Sequence, residues 1–450
     1  MRIRKNKILI GIDLFEMITG VILSILLTSY QVLANEAITP PKNRTLNISA
    51  AIELALSNNS DVRIARARIG QAEERLKEVR SAIYPTLTLR AGYERIEEIA
   101  SGGLGQFIPS DINRGSGQIE TRYLISLGGG RRASIKQAKE EVKAVTLEKR
   151  QVQTLLAHQV RTGYYSLLLA REATKIARES LEFVQLQMEQ SEARLEAGVG
   201  LKTDVLTFSV RVSENRIRLQ EADNASRLAL TALSELLAVK IPEDVVITFP
   251  DLSIDPTEDI SIDILIQQAV NNRPELIALE KHLAASGEAI RVDKAAIWPR
   301  VELFANYGFT KDSTLKLTGE DDEARIGVTM SMDIFDGGAK QAKVRQSIHR
   351  FTELEAKFDM SKLKISRLLE DVLNNISEAR SRVKTSRETI QLSEENLELR
   401  TIRYEAGVGT ILEVTEGEVQ LSQARLTELK AKIDLLIARS KLKEVLGVVE

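Results

Sequence analysis

The sequence predicts a mainly α-helical protein with a smaller β portion, in which one set of helices and strands is present twice. Two pairs of landmarks show the duplication. An aromatic residue followed by proline occurs at 84–85 and again at 298–299, and an Ala-Gly-Val-Gly sequence occurs at 197–200 and again at 406–409. Aromatic residues make up only 4% of the chain and charged residues 28%, which is typical of long helices joined along narrow seams. A repeat of this length defines the whole architecture.

Residues 1–34 have the features of a secretory signal. Basic residues within 2–7 precede an apolar run over 17–27, and 32–34 offers a small-residue cleavage site. The apolar run is too short to cross a bilayer, which favours cleavage over an uncleaved anchor. The chain has no cysteine, which suits an exported protein without disulfides and excludes thiol chemistry. The formal net charge of −2 gives no basic footprint for nucleic acid.

The repeat divides the remaining chain into consecutive segments. We expect an extended lead at 35–45, a first structural repeat at 46–240, a linker at 241–259 and a second structural repeat at 260–447. Each repeat opens with two short helices, and in the first copy the first of these helices is expected to begin at Thr45. A β-hairpin and a long helical hairpin follow in each copy. The β-hairpins are expected at 85–127 and 299–335. The tips of the helical hairpins are expected at 197–203 and 406–412.

Four segments in these β-hairpins alternate apolar and polar residues with a period of two, which predicts strands with one apolar face. In the first segment Leu87, Leu89 and Tyr93 alternate with polar neighbours. Each run has about ten residues, the length of a strand that crosses an outer membrane in a tilted barrel. An ordinary antiparallel sheet on a core is the alternative. No other element, however, offers a broad apolar surface to cover four such faces.

Two very long helices follow the strands. No proline occurs between Pro109 and Pro242 or after Pro299, and a helix of about 65 residues is close to 100 Å long. Their apolar residues recur at steps of three, four and seven, which predicts coiled-coil packing. The residues in this register are Leu181, Val184, Met188 and Leu195 in the first copy, and Leu369, Val372, Ile376, Ala379, Val383, Ile390, Leu397 and Tyr404 in the second. A structural coiled-coil rod would show the same register, but it would need no amphipathic strands.

Each long helix ends in a turn with two glycines. The first glycine is expected to cap the helix in the left-handed conformation, and the second lets the chain reverse. In both copies a carboxylate, Asp204 or Glu413, lies four residues after the second glycine, near the positive end of the next helix.

Four strands cannot close a barrel in lipid, where an open edge leaves backbone groups unpaired. The chain must therefore share a barrel with other copies, and two, three or four protomers would give about 8, 12 or 16 strands. Cyclic symmetry would then arrange the helical hairpins in a ring around a continuous duct.

Several separated motifs resemble the outer membrane efflux protein (TolC-like) family over residues 45–447. They are Ala-Leu-x-Asn-Asn-x-Asp at 55–61, aromatic-Pro before a strand, Phe-Asp-Gly-Gly at 335–338 and Tyr-Glu-Ala-Gly-Val-Gly-Thr at 404–410. The resemblance implies a homotrimer with a 12-stranded outer-membrane barrel and a 12-helix periplasmic tunnel. Such a trimer is the passive exit channel of a tripartite efflux or type I secretion system, which works with a periplasmic adaptor protein and an inner-membrane transporter.

The resemblance also assigns roles at the two helical tips, where it implies adaptor docking and an acidic constriction of the tunnel entrance. The docking residues are Gly198, Val199, Gly200 and Leu201 in the first tip, and Gly407, Val408, Gly409 and Thr410 in the second. The constriction residues are Asp204, Glu413 and Glu416. The first copy has 127–130 where the second has Phe-Asp-Gly-Gly, and we interpret this motif as a strand-to-helix hinge.

A periplasmic adaptor is the main alternative function, because adaptors also carry a long helical hairpin. Adaptors have one hairpin flanked by lipoyl-like β domains, whereas this chain has two hairpins and two strand pairs. No enzymatic activity, metal or cofactor is expected. His158, His282 and His349 show no metal-ligand spacing and are interpreted as solvated or seam positions, and 128–131 lacks the spacing of a phosphate-binding loop.

Overall fold

The computed structural model describes residues 45–97, 111–250, 260–312 and 321–449. The predicted signal at 1–34, the lead up to 44 and the linker segment 251–259 lie outside the described residues. In the described part of the chain, no helix is both long and apolar enough to cross a membrane.

The described segments contain eight helices and six strands. In chain order they are β1 (Thr45–Leu46), α1 (Ile48–Asn58), α2 (Ser60–Ser81), β2 (Thr86–Glu97), β3 (Asp111–Ser126), α3 (Gly130–Glu196), α4 (Lys202–Leu237), β4 (Val246–Ile247), α5 (Ile262–Asn272), α6 (Pro274–Ala295), β5 (Arg300–Asp312), β6 (Asp321–Ser331), α7 (Ala339–Glu405) and α8 (Ile411–Val445). The two long helices, α3 and α7, each have 67 residues.

The predicted helix start at Thr45 is wrong. Thr45 pairs in parallel with Val246, so β1 and β4 form a two-stranded sheet that joins distant parts of the chain. Helix α1 begins only after Asn47, whose side chain accepts a hydrogen bond from the backbone of the helix. The buried Tyr164 of α3 fixes this small sheet, because its hydroxyl donates to the carbonyl of Leu46 over 3.1 Å.

The four longer strands form one antiparallel sheet in the order β2-β3-β5-β6. Strand β3 pairs with β5 and thereby joins the two β-hairpins, while β2 and β6 each pair on one side only. The strands have 12, 16, 13 and 11 residues, somewhat longer than the sequence predicts.

The two faces of the sheet differ in polarity, as the alternation predicts. The apolar face is open to the surroundings: Leu87 is 76% exposed and Ile326 is 89% exposed. The opposite face carries an ion-pair ladder in which Glu120 contacts Arg122 over 2.6 Å and Arg90 over 3.6 Å. A sheet with exposed apolar residues on one face and charges on the other cannot be the cover of an internal core.

The helices pack side by side in a layer. Near the sheet, α3 lies between α2 and α6, and α6 contacts α7; further from the sheet, α3 contacts α4 and α8, and α8 contacts α7. The layer therefore has two edges in one chain, formed by α2 and α4 on one side and by α7 on the other. The short helix α1 packs on α3, and α5 packs on α7.

The predicted seven-residue register accounts for most of the seam between α7 and α8. Leu369, Val372, Ile376 and Ala379 are all buried there. In α3, Val184 is buried as expected, whereas Leu195 is 37% exposed in one chain. The helix ends one residue later, at Glu196.

Candidate docking tips and entrance

Both long helices end in the same backbone turn. Gly198 and Gly407 have φ of +76°, a conformation in which a Cβ is unfavourable. In the first turn Val199 N–H donates to the carbonyl of Arg194 over 3.0 Å, and Gly198 N–H donates to that of Leu195 over 3.0 Å. The second turn repeats this pair of bonds. These are the two bonds of a Schellman cap, which satisfies carbonyls at the helix end.

The second glycine of each turn is required for a different reason. A Cβ on Gly200 would lie 2.7 Å from the backbone nitrogen of Leu195, and a Cβ on Gly409 would lie 2.9 Å from that of Tyr404. Both contacts are with backbone atoms, which cannot rotate away as a side-chain end can. The sequence suggested only chain reversal here, whereas the structure shows close packing of the turn on its own helix.

The turns present apolar side chains to the surroundings. Val199 is 75% exposed, Leu201 is 65% exposed and Val408 is 70% exposed. Thr410 caps α8, since its hydroxyl accepts a hydrogen bond from Glu413 N–H over 3.3 Å. Leu201 stands at the same position before α4 and has no side-chain acceptor to offer. An apolar residue at this position is unfavourable for the helix and available for a partner.

Tyr404 joins the two tips. Its hydroxyl donates to Asp204 Oδ2 over 3.1 Å, and its ring packs edge-on against Phe208 with centroids 6.4 Å apart. Arg194 of the first tip lies over the same ring at 5.3 Å. Burial raises the pKa of Tyr404, and the neighbouring negative charge of Asp204 raises it further, while a hydrogen bond with Ser191 acts in the opposite direction. The hydroxyl therefore stays protonated and keeps donating.

Two of the three carboxylates predicted to form a constriction, Asp204 and Glu416, have side-chain partners within one chain. Asp204 accepts the bond from Tyr404. Glu416 forms an ion pair with Arg400, which lies 3.4 Å away and also donates to the main-chain carbonyl of Glu413 over 2.9 Å. Arg400 was not identified from the sequence, because its pairing across the second turn depends on how α7 and α8 pack.

A buried polar cluster lies further along the same helices, and it was not predicted from the sequence either. Glu418 of α8 is 5% exposed and accepts a hydrogen bond from Ser422 over 2.9 Å. Ser180 of α3 contacts both Glu418 and, over 3.1 Å, Asn215 of α4. The cluster therefore ties the first helical hairpin to the second, as buried polar residues that fix the register of a coiled coil do.

The histidines form no shared site. His158 hydrogen-bonds to a serine of α8 over 2.9 Å, and His349 is exposed. His282 of α6 lies between two glutamates of α3, 3.0 Å from Glu148 and 3.4 Å from Glu141. Hydrogen bonds with these carboxylates outweigh burial and raise the pKa of His282 to about 9. Within the described segments, no group of three or more His, Cys, Asp or Glu residues could hold a metal ion.

Comparison with known proteins gives a consistent set of relatives. OpmQ of Pseudomonas aeruginosa, a pyoverdine export outer membrane protein, is 24% identical over 404 residues, which cover 89% of this chain and 85% of OpmQ. Protein CyaE of Bordetella pertussis is 24% identical over 390 residues, covering 86% and 81% of the two chains. The crystal structure of the channel CusC has a TM-score of 0.78 at 19% identity, covering 92% of this chain and 96% of CusC.

The model of one family, described as outer membrane efflux protein, matches residues 51–239 and 265–448. These two matches follow the internal repeat and include both long helical hairpins. The family is one of outer-membrane transport channels and not of enzymes. The resemblance drawn from the motifs is confirmed: this chain belongs to the outer membrane efflux protein family.

Proposed function

We propose that this chain forms, as a homotrimer, the outer-membrane exit channel of a tripartite efflux or type I secretion system. It conducts substrates passively to the exterior from an inner-membrane transporter and a periplasmic adaptor protein. The observation that carries this proposal is the four-stranded sheet, with two open edges and an exposed apolar face.

The open edges call for other copies of the chain. Strands β2 and β6 would leave rows of unpaired backbone groups in lipid, at several kcal/mol each. If β2 of each protomer pairs with β6 of the next, three copies form a closed barrel of about 12 strands, a size within the known range. The apolar face would then contact lipid, and the face with the ladder of Arg90, Glu120 and Arg122 would line the lumen.

The helical layer fits the same symmetry. Its edge helices, α2 and α4 on one side and α7 on the other, would meet the opposite edges of neighbouring protomers. Four helices at each level, repeated three times, give a ring of 12 helices that continues the barrel as a tunnel. Neither a periplasmic adaptor nor a structural rod accounts for an amphipathic sheet joined to such a layer.

The tips are the proposed adaptor-docking sites. They combine a rigid turn, fixed by two glycines in each copy, with the exposed apolar residues Val199, Leu201 and Val408. A small apolar patch on a rigid turn suits burial by a partner, because little conformational entropy is lost on binding. Glu413 and Glu416 would meet their symmetry copies at the tunnel entrance and favour cations there.

Cysteine cross-linking tests the trimer directly, because the natural chain has no cysteine. One cysteine in each edge strand, Leu89→Cys with Val328→Cys, can join only different protomers, and oxidation should give a covalent trimer on a denaturing gel. The matched control is Leu89→Cys with Ile119→Cys, which face each other within one chain and should stay monomeric. A soluble, folded monomer recovered without detergent would contradict the proposal.

A further inference from the structure

Four exposed apolar side chains mark the four junctions between the helices and the sheet. They are Tyr84, Leu127, Trp298 and Phe335, which are 70%, 54%, 59% and 89% exposed. Three of them are aromatic, and aromatic side chains collect at the interface between hydrocarbon and headgroups. If the sheet crosses the membrane as proposed above, these residues place the bilayer surface at the helix ends.

Free cations lie just beyond this level on the long helices. Arg132 and Lys136 are exposed in the first two turns of α3, and Arg345 is the seventh residue of α7, as Lys136 is of α3. No ion pair links these three to any carboxylate in the described ranges. Their neighbours differ: Lys340 is 2.9 Å from Asp333, and Lys343 has a partner as well.

The distances bring these cations within reach of lipid headgroups. The ring of Trp298 lies so close to Gly128 that a Cβ there would be 2.7 Å away, so the two share one level. At 1.5 Å per residue, Arg132 is about 6 Å and Lys136 about 12 Å beyond that level. Helical side chains lean toward the N-terminus, which for α3 is toward the sheet. A headgroup layer of roughly 5–8 Å is therefore accessible to both.

The same face of α3 points away from the lumen. At about 100° per residue, Arg132 lies within about 40° and Lys136 within about 80° of Tyr164 around the axis of α3, and Tyr164 lies beneath β1 and β4. The small sheet of β1 and β4 adds a second layer on α3. This layer must lie on the outer side of the tunnel, because on the inner side it would block the duct. The pseudo-symmetry of the two long helices gives Arg345 the equivalent position.

We propose that Arg132, Lys136 and Arg345, here called the collar, bind the headgroups of anionic phospholipids in the membrane leaflet next to the helices. The inference rests on the proposed membrane insertion of the sheet. Each Lys or Arg near an anionic surface is worth about fivefold in binding. Three protomers give nine such cations around one barrel. The collar thereby fixes the depth of the barrel as well as its lipid shell.

The single tryptophan of the chain, Trp298, reports on this shell. The wild-type protein would be reconstituted in dioleoylphosphatidylcholine vesicles with brominated phosphatidylglycerol or brominated phosphatidylcholine as quencher. We expect phosphatidylglycerol to be preferred about fivefold near Trp298, and 0.5 M NaCl to reduce this preference. The collar variant Arg132→Gln, Lys136→Gln, Arg345→Gln should bring the ratio close to one.

The matched control removes the same charge far from the sheet, at exposed residues without an ion pair in the described chain: Arg150→Gln, Arg216→Gln, Lys384→Gln. It should keep the wild-type ratio. Equal quenching by the two lipids in the wild-type protein, or an unchanged ratio in the collar variant, would overturn the collar alone. No quenching by either lipid would show that the sheet is outside the bilayer and would overturn the proposed function together with the collar.

Discussion

Replacing Gly409 by alanine tests the steric account of the tips. The added Cβ would lie 2.9 Å from the nitrogen of Tyr404 and 3.0 Å from the carbonyl carbon of Arg403, so the turn must move by several tenths of an ångström. That movement weakens two bonds to the Arg403 carbonyl, from Val408 N–H at 3.0 Å and Gly409 N–H at 2.9 Å. At about 1 kcal/mol for each bond, the turn loses about 2 kcal/mol, or roughly thirtyfold in its opening equilibrium.

Hydrogen exchange of the detergent-solubilised protein, followed by mass spectrometry of peptides that cover 403–410, measures this opening. The matched control is Gly407→Asn, because Gly407 has φ of +76° and open space at its Cβ position, and asparagine tolerates that conformation. We expect exchange to change less than about threefold in the control. Wild-type exchange in Gly409→Ala, or equal acceleration in both variants, would refute the steric argument.

Three further predictions concern the entrance and the helical layer. Tyr404→Phe removes the hydrogen bond to Asp204 but keeps the ring. The loss of about 1 kcal/mol should lengthen channel open times in planar bilayers about fivefold. Unchanged gating would show that this hydrogen bond does not hold the entrance closed. The double change Glu413→Ala with Glu416→Ala should raise conductance and weaken cation selectivity, whereas unchanged values would assign the constriction to other residues. His282 has its folded pKa raised to about 9, so its stabilisation is full below the unfolded pKa of about 6.5 and is lost as the pH rises through 9. For this partly exposed group the gain is about 1 kcal/mol, and His282→Gln should remove that part of the pH dependence of thermal unfolding between pH 6 and pH 9.5.

The periodic parts of the fold could be predicted because their cause is local. A step of seven in α7 places Leu369 and Ile376 in a seam whatever helix supplies the partner surface. Alternation in the strands likewise fixes which residues share a face. The pairing of Thr45 with Val246 could not be predicted, since two-residue strands that are distant in sequence leave no periodic signal.

The contacts of the tips also could not be predicted from the sequence. Glu418 has the residue type of a solvated helix surface, and only the packing of α8 against α3 and α4 shows that it is buried. The bond between Tyr404 and Asp204 joins two hairpins whose relative register depends on the whole helical layer. Residue types marked the tips, but their connections depend on tertiary structure.

The two long helices are alike in backbone and unlike in burial, which bears on the assembly. Both have 67 residues, yet 17 residues of α3 are buried in one chain against 8 of α7. The difference follows from their positions, because α3 has helices on both sides at each level and α7 has its main helical neighbour on one side only. Helix α7 carries a complete set of seam residues, as α3 does. Because α7 lies at an edge of the layer in one chain, some of these residues have no partner helix there. In a ring of three protomers, the α2 and α4 edge of the next copy would supply the missing side, and α7 would become an interior helix like α3.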